Sequence, residues 1–248
     1  MLRALRVNLT QQMAHYRKPA SFVLKESYPL PPYSTVIGML HVACGWNTYH
    51  SMKVSIQGLT SGSVMDLATN YTFGTKFDPK DPTRHQAVVK IADGEYDGIN
   101  IGPKSYELIT DVDLVLHVVA EDADIDYMFE KLKSPDGYIA LGRHEDIVRI
   151  ESVDIVNLDV FDDTQILVPA LKMDAYIPKV HDEFSQGGGI RGTLYTLNKE
   201  YELVKNRNGK IARNWKTKIT AYHAAASQVV PTCGAHFDSK YQDLVFLA

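Results

Sequence analysis

The sequence is poor in cysteine and has no long uncharged apolar run, and each scarcity excludes a class of protein. Two cysteines, Cys44 and Cys233, stand far apart in 248 residues, so we expect neither a disulfide framework nor a zinc site. The longest uncharged apolar stretch, residues 36–46, is far shorter than the roughly 20 residues that span a bilayer. The N-terminus lacks a continuous hydrophobic signal core. These features predict a cytoplasmic protein that does not enter a membrane.

The motifs of the common enzyme classes are also missing. The sequence contains no phosphate-binding loop, dinucleotide fingerprint, nucleophile elbow or HExxH motif. Its nine histidines are scattered, without the short spacing of metal ligands on a helix. We therefore expect no cofactor, no metal and no catalytic residue.

One kind of catalysis needs none of these motifs. Metal-independent RNA cleavage needs a base for the 2′-hydroxyl proton and a cation or acid for the phosphorane, so His, Lys and Tyr suffice. His15, Tyr16, Arg17 and Lys18 supply these residue types in one run. The simpler interpretation of this run is a loop that positions phosphates.

Charge is present in ordinary amount but is unevenly distributed. Residues 1–60 carry a net charge of +5, residues 61–120 carry −4, residues 121–180 carry −8, and the last 68 residues carry +3. A polyanion such as RNA would therefore be held by the two ends of the chain. The alternative is that these charges serve solubility alone.

Periodicity predicts two helices among four strands. The helices are expected at residues 34–44, with Ser34 as N-cap and Gly45 as terminator, and at residues 122–133. The strands are expected at residues 2–9, 53–59, 106–120 and 138–160. An Asp93-Gly94 turn predicts a hairpin inside a polar insertion at residues 61–105.

This order predicts an α+β fold, specifically a ferredoxin-like (RRM-type) βαββαβ domain over residues 1–160. Residues 161–248 are expected to form a small β-rich C-terminal part. Its strands at 194–204 and 210–220 flank an Asn208-Gly209 turn. The basic residues of this hairpin are expected to contact RNA, to contact the target strand or to be merely solvated. The glycines at 187–189 are expected to form either a connector or a phosphate cradle.

Several ordered motifs resemble a known family. They are Y-R-K-P-A-S-F at residues 16–22, Y-P-L-P-P-Y-S-T-V-I-G at residues 28–38, and shorter blocks at residues 55–58, 84–86 and 141–146. The series resembles the CRISPR-associated family-five subunit of type I effector complexes (Cascade), most closely its type I-B form. The resemblance implies that the insertion at residues 61–105 is a protruding β-hairpin, the thumb.

The resemblance also implies a function. Such a subunit binds the 5′ handle of the crRNA in antiviral defence and caps the filament of backbone subunits beside the large subunit. It meets target DNA only through the complex and is noncatalytic in most type I systems. In type I-C the family-five protein itself cleaves precursor crRNA, so a metal-independent endoribonuclease is the alternative.

The first predicted RNA-binding residues follow strand one. Arg17 and Lys18 are expected to pair with phosphates. Tyr28 and Tyr33 are expected either to stack on a splayed base or to pack in the core. Ser34 and Thr35 open a helix whose amides suit a phosphate.

The remaining predicted residues lie further along the chain. Arg84 and His85 are expected to let the thumb grip the handle or the next subunit. Arg143 and His144 are expected to begin the last strand and face the RNA, with pairing to Glu145 or Asp146 as the alternative. Gly38 is expected to permit close helix–sheet packing or, less simply, close approach of an RNA backbone.

Overall fold

The computed structural model describes residues 2–162, 171–179, 190–205, 209–226 and 235–248. Within these ranges the chain forms two α-helices, α1 (Tyr33–Cys44) and α2 (Asp122–Lys133), and one large sheet. The glycines at 187–189, Arg207, Asn208 and Cys233 lie outside the described residues. The strands are β1 (Leu2–Ala14), β2 (Leu24–Lys25), β3 (Lys53–Leu59), β4 (Gly62–Lys76), β5 (Ala87–Ala92), β6 (Glu95–Val119), β7 (Arg149–Val160), β8 (Asp174–Pro178), β9 (Thr193–Lys205), β10 (Ile211–Ala224), β11 (His236–Asp238) and β12 (Leu244–Val245).

The main path of the sheet runs β12-β11-β7-β1-β6-β3-β8-β10-β9, and every pairing along it is antiparallel. Strands from beyond residue 160 extend both ends, with β8, β10 and β9 outside β3 and with β11 and β12 outside β7. The predicted α+β class is confirmed. The finer ferredoxin-like assignment and the division into residues 1–160 and 161–248 stay predictions.

The predicted insertion is built on an unusually long strand. β4 pairs with β6 from Gly62–Thr110 to Lys76–Asp97, and β5 pairs with the beginning of β6 across the Asp93-Gly94 turn. Gly94 has φ +77°, a left-handed conformation that favours glycine in such turns. β6 therefore begins eleven residues before the predicted strand at 106 and runs uninterrupted from the thumb into the centre of the sheet.

Both helices bury their apolar stripes in the main hydrophobic cluster. Val36 and Leu40 of α1 and Ile125 of α2 are fully buried there with the alternating Leu5, Val7 and Leu9 of β1. α1 ends as predicted at Gly45, where φ is +67° and the backbone N–H bonds back to the carbonyl of Val42. No helix in the described ranges is long and apolar enough to cross a bilayer.

The start of α1 differs from the prediction. Pro32, not Ser34, is the N-cap residue, and the amides of Thr35 and Val36 donate to its carbonyl at 2.9 and 3.2 Å. No side chain caps this helix. The proline ring fixes φ of Pro32 near −62°, and ψ is extended at 154°. Pro32 therefore stands just before the helix in a non-helical conformation while its carbonyl accepts the first hydrogen bonds of the helix. Ser34 is therefore the second residue of the helix.

A buried cluster of charges fastens the C-terminal strands to the middle of the sheet. His117 Nε2 of β6 lies 3.1 Å from Asp238 Oδ2 of β11, and both side chains are fully buried. Arg6 Nη2 of β1 donates to Asp243 Oδ2 at 3.2 Å. Burial alone would raise the pKa of Asp238, but hydrogen bonds from His117 and from backbone amides lower it below its usual value.

Candidate nucleic-acid interface

A groove of about 490 Å³ runs between α1, the segment at residues 138–144 and the β9–β10 hairpin. We name it the α1 groove. It brings together six of the ten predicted RNA-binding residues, namely Arg17, Tyr28, Ser34, Thr35, Arg143 and His144. It also contains residues that the sequence analysis did not select, among them Tyr138, Asn198, Tyr201, Arg213 and Trp215.

The charge of the α1 groove suits a polyanion. Arg17, Arg143 and Arg213 line it, and within the described part of the chain no carboxylate does. A larger cavity of about 800 Å³ beside the end of β1 is lined by four carboxylates, Asp111, Asp113, Glu145 and Asp146, and by two arginines, Arg143 and Arg149. Because the carboxylates outnumber the arginines there, the α1 groove suits a phosphate better than the larger cavity.

Arg17 and Lys18 differ in how their charges are used. A short antiparallel bridge between Arg17 and Ser27 fixes the loop after β1, and Arg17 is exposed at the groove without a carboxylate partner among the described residues. The Lys18 ammonium lies 3.3 Å from a Glu26 carboxylate oxygen and does not line the groove. Of this pair, Arg17 has the charge available for a phosphate.

The two predicted tyrosines lie in different environments. Tyr28 lines the groove, and its ring meets Tyr195 edge-on with centroids 5.5 Å apart. Burial raises the pKa of the Tyr28 phenol, so it stays neutral at physiological pH. Tyr33 is fully buried, 6.2 Å from the ring of Tyr176. The expectation that Tyr33 stacks on a base is wrong, since its ring is part of the core.

Residues 141–146 form a loop rather than the start of the last strand, because a buried carboxylate folds them back. Asp146 Oδ2 accepts hydrogen bonds from the backbone amides of His15 at 2.9 Å and Arg143 at 2.7 Å. Its Oδ1 accepts from Arg143 Nη2 at 2.8 Å. Gln11 Nε2 donates to the carbonyls of Leu141 and Asp146 at 3.0 and 2.8 Å. β7 consequently begins only at Arg149.

This loop decides between the two alternatives for Arg143. Its guanidinium pairs with Asp146 and with Glu145 Oε1 at 3.3 Å, so the carboxylate pairing is the arrangement observed. Arg143 still borders the groove, but it offers less uncompensated charge than Arg17. His144 is exposed at the groove and follows this anchored residue.

The run from His15 to Lys18 is divided between core and surface. His15 is 3% exposed, its Nδ1 lies 2.9 Å from the Glu107 carbonyl oxygen, and burial lowers its pKa. Tyr16 is buried, which raises the pKa of its phenol well above the usual value. No group of three or more His, Cys, Asp or Glu side chains in the described ranges could hold a metal ion. His15 and Tyr16 therefore do not face a substrate in the α1 groove.

The thumb residues lie outside the α1 groove. Arg84 is exposed at the end of a short 3₁₀ turn, Pro82–Arg84. His85 is 7% exposed, with Nδ1 3.2 Å from the Asn100 side-chain oxygen and its ring against the backbone of Gly98. Because the imidazole packs within the thumb, His85 presents little surface to the handle or to the next subunit, and the contacts expected of the thumb stay predictions.

Gly38 also differs from the favoured interpretation. A Cβ atom placed on Gly38 would meet no atom within 4 Å, so this glycine does not serve close helix–sheet packing. It lies exposed on α1 and lines the groove. The alternative of close approach by another molecule stays a prediction.

Comparison with known proteins was decisive for the family. A family model described as CRISPR-associated protein (Cas_Cas5) matches residues 4–219. The chain belongs to the Cas5 family. Comparison with curated proteins gives no match. Family membership supports a role for this Cas5 protein as a subunit of a CRISPR effector complex.

One solved structure has a related fold, and a second match has a TM-score below 0.5. A chain of a "CRISPR RNA-guided surveillance complex" is 18% identical with a TM-score of 0.51, and the match covers 95% of this Cas5 protein and 91% of that chain. A CRISPR protein from Archaeoglobus fulgidus is 12% identical with a TM-score of 0.47, covering 100% and 99% of the two chains.

Proposed function

We propose that this Cas5 protein is a noncatalytic subunit of a type I, I-B form, CRISPR Cascade complex in antiviral defence. It binds the 5′ handle of the crRNA in the α1 groove and works in the cytoplasm. It caps the backbone-subunit filament beside the large subunit, and it meets target DNA only through the complex. The observation that carries the RNA-binding proposal is a groove with arginines, aromatic rings and no described carboxylate.

The fold supports a ferredoxin-like core as part of the same proposal. Along the chain, β1, α1, β3, β6, α2 and β7 follow the order strand, helix, strand, strand, helix, strand. In the sheet these four strands are neighbours in the order β7-β1-β6-β3. RRM-type domains use this βαββαβ arrangement to bind single-stranded RNA.

Different groups in the α1 groove can bind different parts of a single RNA strand. The Arg17 guanidinium can donate to two phosphate oxygens at once. Ser34 and Thr35 lie in the first turn of α1, at the positive end of the helix dipole, where no side chain caps the helix and where the amides of Thr35 and Val36 already donate to the Pro32 carbonyl. Tyr28 offers a half-buried ring, held in place by the prolines that follow it, on which a base can stack.

The proposal is tested with two neighbouring substitutions. RNA that carries the repeat-derived 5′ end from the CRISPR array of the same genome is titrated with the full chain at several salt concentrations. Arg17→Ala removes a free phosphate contact, so we expect weaker binding and a slope of log affinity against log salt that is shallower by about 0.7.

Lys18→Ala is the matched control, because its charge is already paired with Glu26. We expect it to change the slope much less than Arg17→Ala. Equal binding by wild type and Arg17→Ala, or equal affinity for handle RNA and a scrambled RNA, would refute handle binding in this groove.

A metal-independent endoribonuclease is the second candidate, and one placement favours it. His144 is exposed in the groove beside residues that could hold a phosphate and a splayed base. Incubating the protein with repeat RNA in EDTA separates the candidates. Specific cleavage that is abolished by His144→Ala would establish the nuclease and overturn the noncatalytic assignment, whereas intact RNA agrees with our proposal.

A further inference from the structure

The β9–β10 hairpin forms a second wall of the α1 groove. Its register pairs Trp215 with Tyr201 and Arg213 with Leu203. Since paired residues and those two positions apart share one face of a hairpin, these four side chains lie on the same side. The rings of Tyr201 and Trp215 meet edge-on with centroids 5.7 Å apart, and the Arg213 guanidinium carbon lies 4.7 Å from the Tyr201 ring centroid.

This wall combines rings with an available charge. Arg213 is exposed and has no carboxylate partner in the part of the chain that the structure describes. Arg213 and Tyr201 line both the α1 groove and an adjoining cavity of about 380 Å³ that continues along α1. One carboxylate, Glu200, borders that second cavity, and it lies 3.5 Å from the Lys216 ammonium. The local field at Arg213 therefore favours an anion.

The facing side of α1 is correspondingly open. Ser34, Gly38 and Val42 recur every four residues on one side of the helix and line both cavities. A side chain at position 38 would project into empty space, as the free surroundings of a Cβ atom there indicate. A flat group can therefore approach the helix at Gly38 while its other side faces the hairpin.

We propose that the space between Gly38 and the Tyr201–Trp215 pair is a subsite for one unstacked base of single-stranded RNA, and that Arg213 binds an adjoining phosphate. This inference rests on the proposed function and extends it to the C-terminal hairpin. Aromatic rings accept any base by stacking, and a guanidinium beside a ring adds a phosphate contact without sequence preference. The subsite thus strengthens the hold on the strand rather than reading its sequence.

Matched leucine substitutions on the two helices test the subsite in the full chain. Gly38→Leu fills the space, and we expect its affinity for the handle RNA to fall by about 5- to 150-fold, the effect of losing one stacked base. Ala123→Leu is the matched control, because it adds a leucine at an exposed position of α2 that lines neither cavity. The Ala123→Leu protein should bind the handle RNA as wild type does.

The hairpin side is tested independently. Trp215→Ala should weaken binding to a similar degree, and Trp215→Phe should restore most of the loss because a ring is retained. RNAs with one abasic nucleotide at successive positions then locate the base. At one position the abasic RNA and Trp215→Ala should be non-additive, as expected when both remove the same contact.

Tryptophan emission gives a readout that does not depend on affinity. The chain has two tryptophans, so in a Trp46→Phe protein Trp215 is the only one. Its emission should be quenched by the handle RNA and not by the RNA that is abasic at the located position.

The outcomes separate this inference from the proposed function. If Arg17→Ala weakens binding while Gly38→Leu and Trp215→Ala bind as wild type, the subsite is refuted and the handle assignment stands. If Gly38→Leu unfolds at a lower temperature than wild type, the Trp215 variants and the emission measurement decide the question. If the wild-type protein binds handle RNA and scrambled RNA equally, the handle assignment is refuted, and the Gly38 and Trp215 variants still decide the subsite, because stacking accepts any base. If the wild-type protein binds neither RNA, the proposed function and the subsite are both refuted.

Discussion

Replacing Asp146 with alanine should destabilise the protein far more than removing any exposed carboxylate. The side chain of Asp146 is 2% exposed and accepts hydrogen bonds from two backbone amides and from the Arg143 guanidinium. A buried donor left without a partner costs about 1–3 kcal/mol, and breaking a buried ion pair costs about 3–5 kcal/mol. Because 24% of the Arg143 side chain is exposed, water replaces part of its loss.

These contributions overlap, so we expect a loss of about 3 kcal/mol in the free energy of unfolding. For a chain of this size that corresponds to a melting temperature lower by about 6–12 °C. Asp136→Ala is the control, because its carboxylate is 80% exposed and pairs only with the Lys131 ammonium on the surface. Thermal unfolding followed by circular dichroism measures both variants. Equal melting temperatures for Asp146→Ala and Asp136→Ala would refute the anchoring role of this carboxylate.

Three further predictions concern stability. Gly142→Ala should lower the unfolding free energy by about 1–3 kcal/mol in urea titrations, because φ is +117° there and the new Cβ would lie 2.6 Å from Asp146 Oδ2; unchanged stability would contradict this geometry. Burial lowers the pKa of His15 below 6.5, so the unfolded chain binds a proton at a higher pH than the folded chain does. The contribution of His15 to the free energy of unfolding should be fully present above pH 6.5 and be lost as the pH falls through the lowered pKa. His15→Gln should flatten this loss, and an equally steep loss in the variant would contradict the prediction. Asp238→Ala should cost about 3–5 kcal/mol by leaving His117 Nε2 and the backbone amides of Lys240 and Tyr241 without their acceptor, whereas a wild-type midpoint in urea would show that the C-terminal strands are held by apolar packing alone.

Elements set by local chemistry were predictable from the sequence. The bounds of α2 and β3 agree with the prediction, since acids at the start and lysines at the end mark the helix and an apolar run marks the strand. The Asp93-Gly94 turn likewise fixed its hairpin. Each of these signals lies within the element that it specifies.

Elements set by distant contacts were not predictable. Ile139, Leu141 and Val148 are buried like strand residues, but they belong to a loop that Asp146 and Gln11 fold against β1. Their apolar pattern indicates burial, and buried residues occur in loops as well as in strands.

For the same reason, the sequence predicted only part of the candidate site. Tyr28 and Tyr33 flank one proline-rich segment, but Tyr33 is the first residue of α1 and packs near Tyr176 in the core, whereas Tyr28 lines the groove. The contribution of Tyr201, Arg213 and Trp215 depends on a hairpin that meets α1 across more than 150 residues of sequence. The spacing of Arg213 and Trp215 on one face of a strand can be read from the sequence, but the position of α1 across the groove from them cannot.

The continuity of β6 has a mechanical consequence. Its 25 residues run without interruption from the tip of the thumb to the middle of the sheet, between β1 and β3. The projecting hairpin is thus joined to the sheet by one strand, and the one left-handed residue described in β6 is Asp111, with φ +48°, near the root of the thumb. A displacement of the thumb is therefore expected to reach the layer that supports α1 along a single span of backbone.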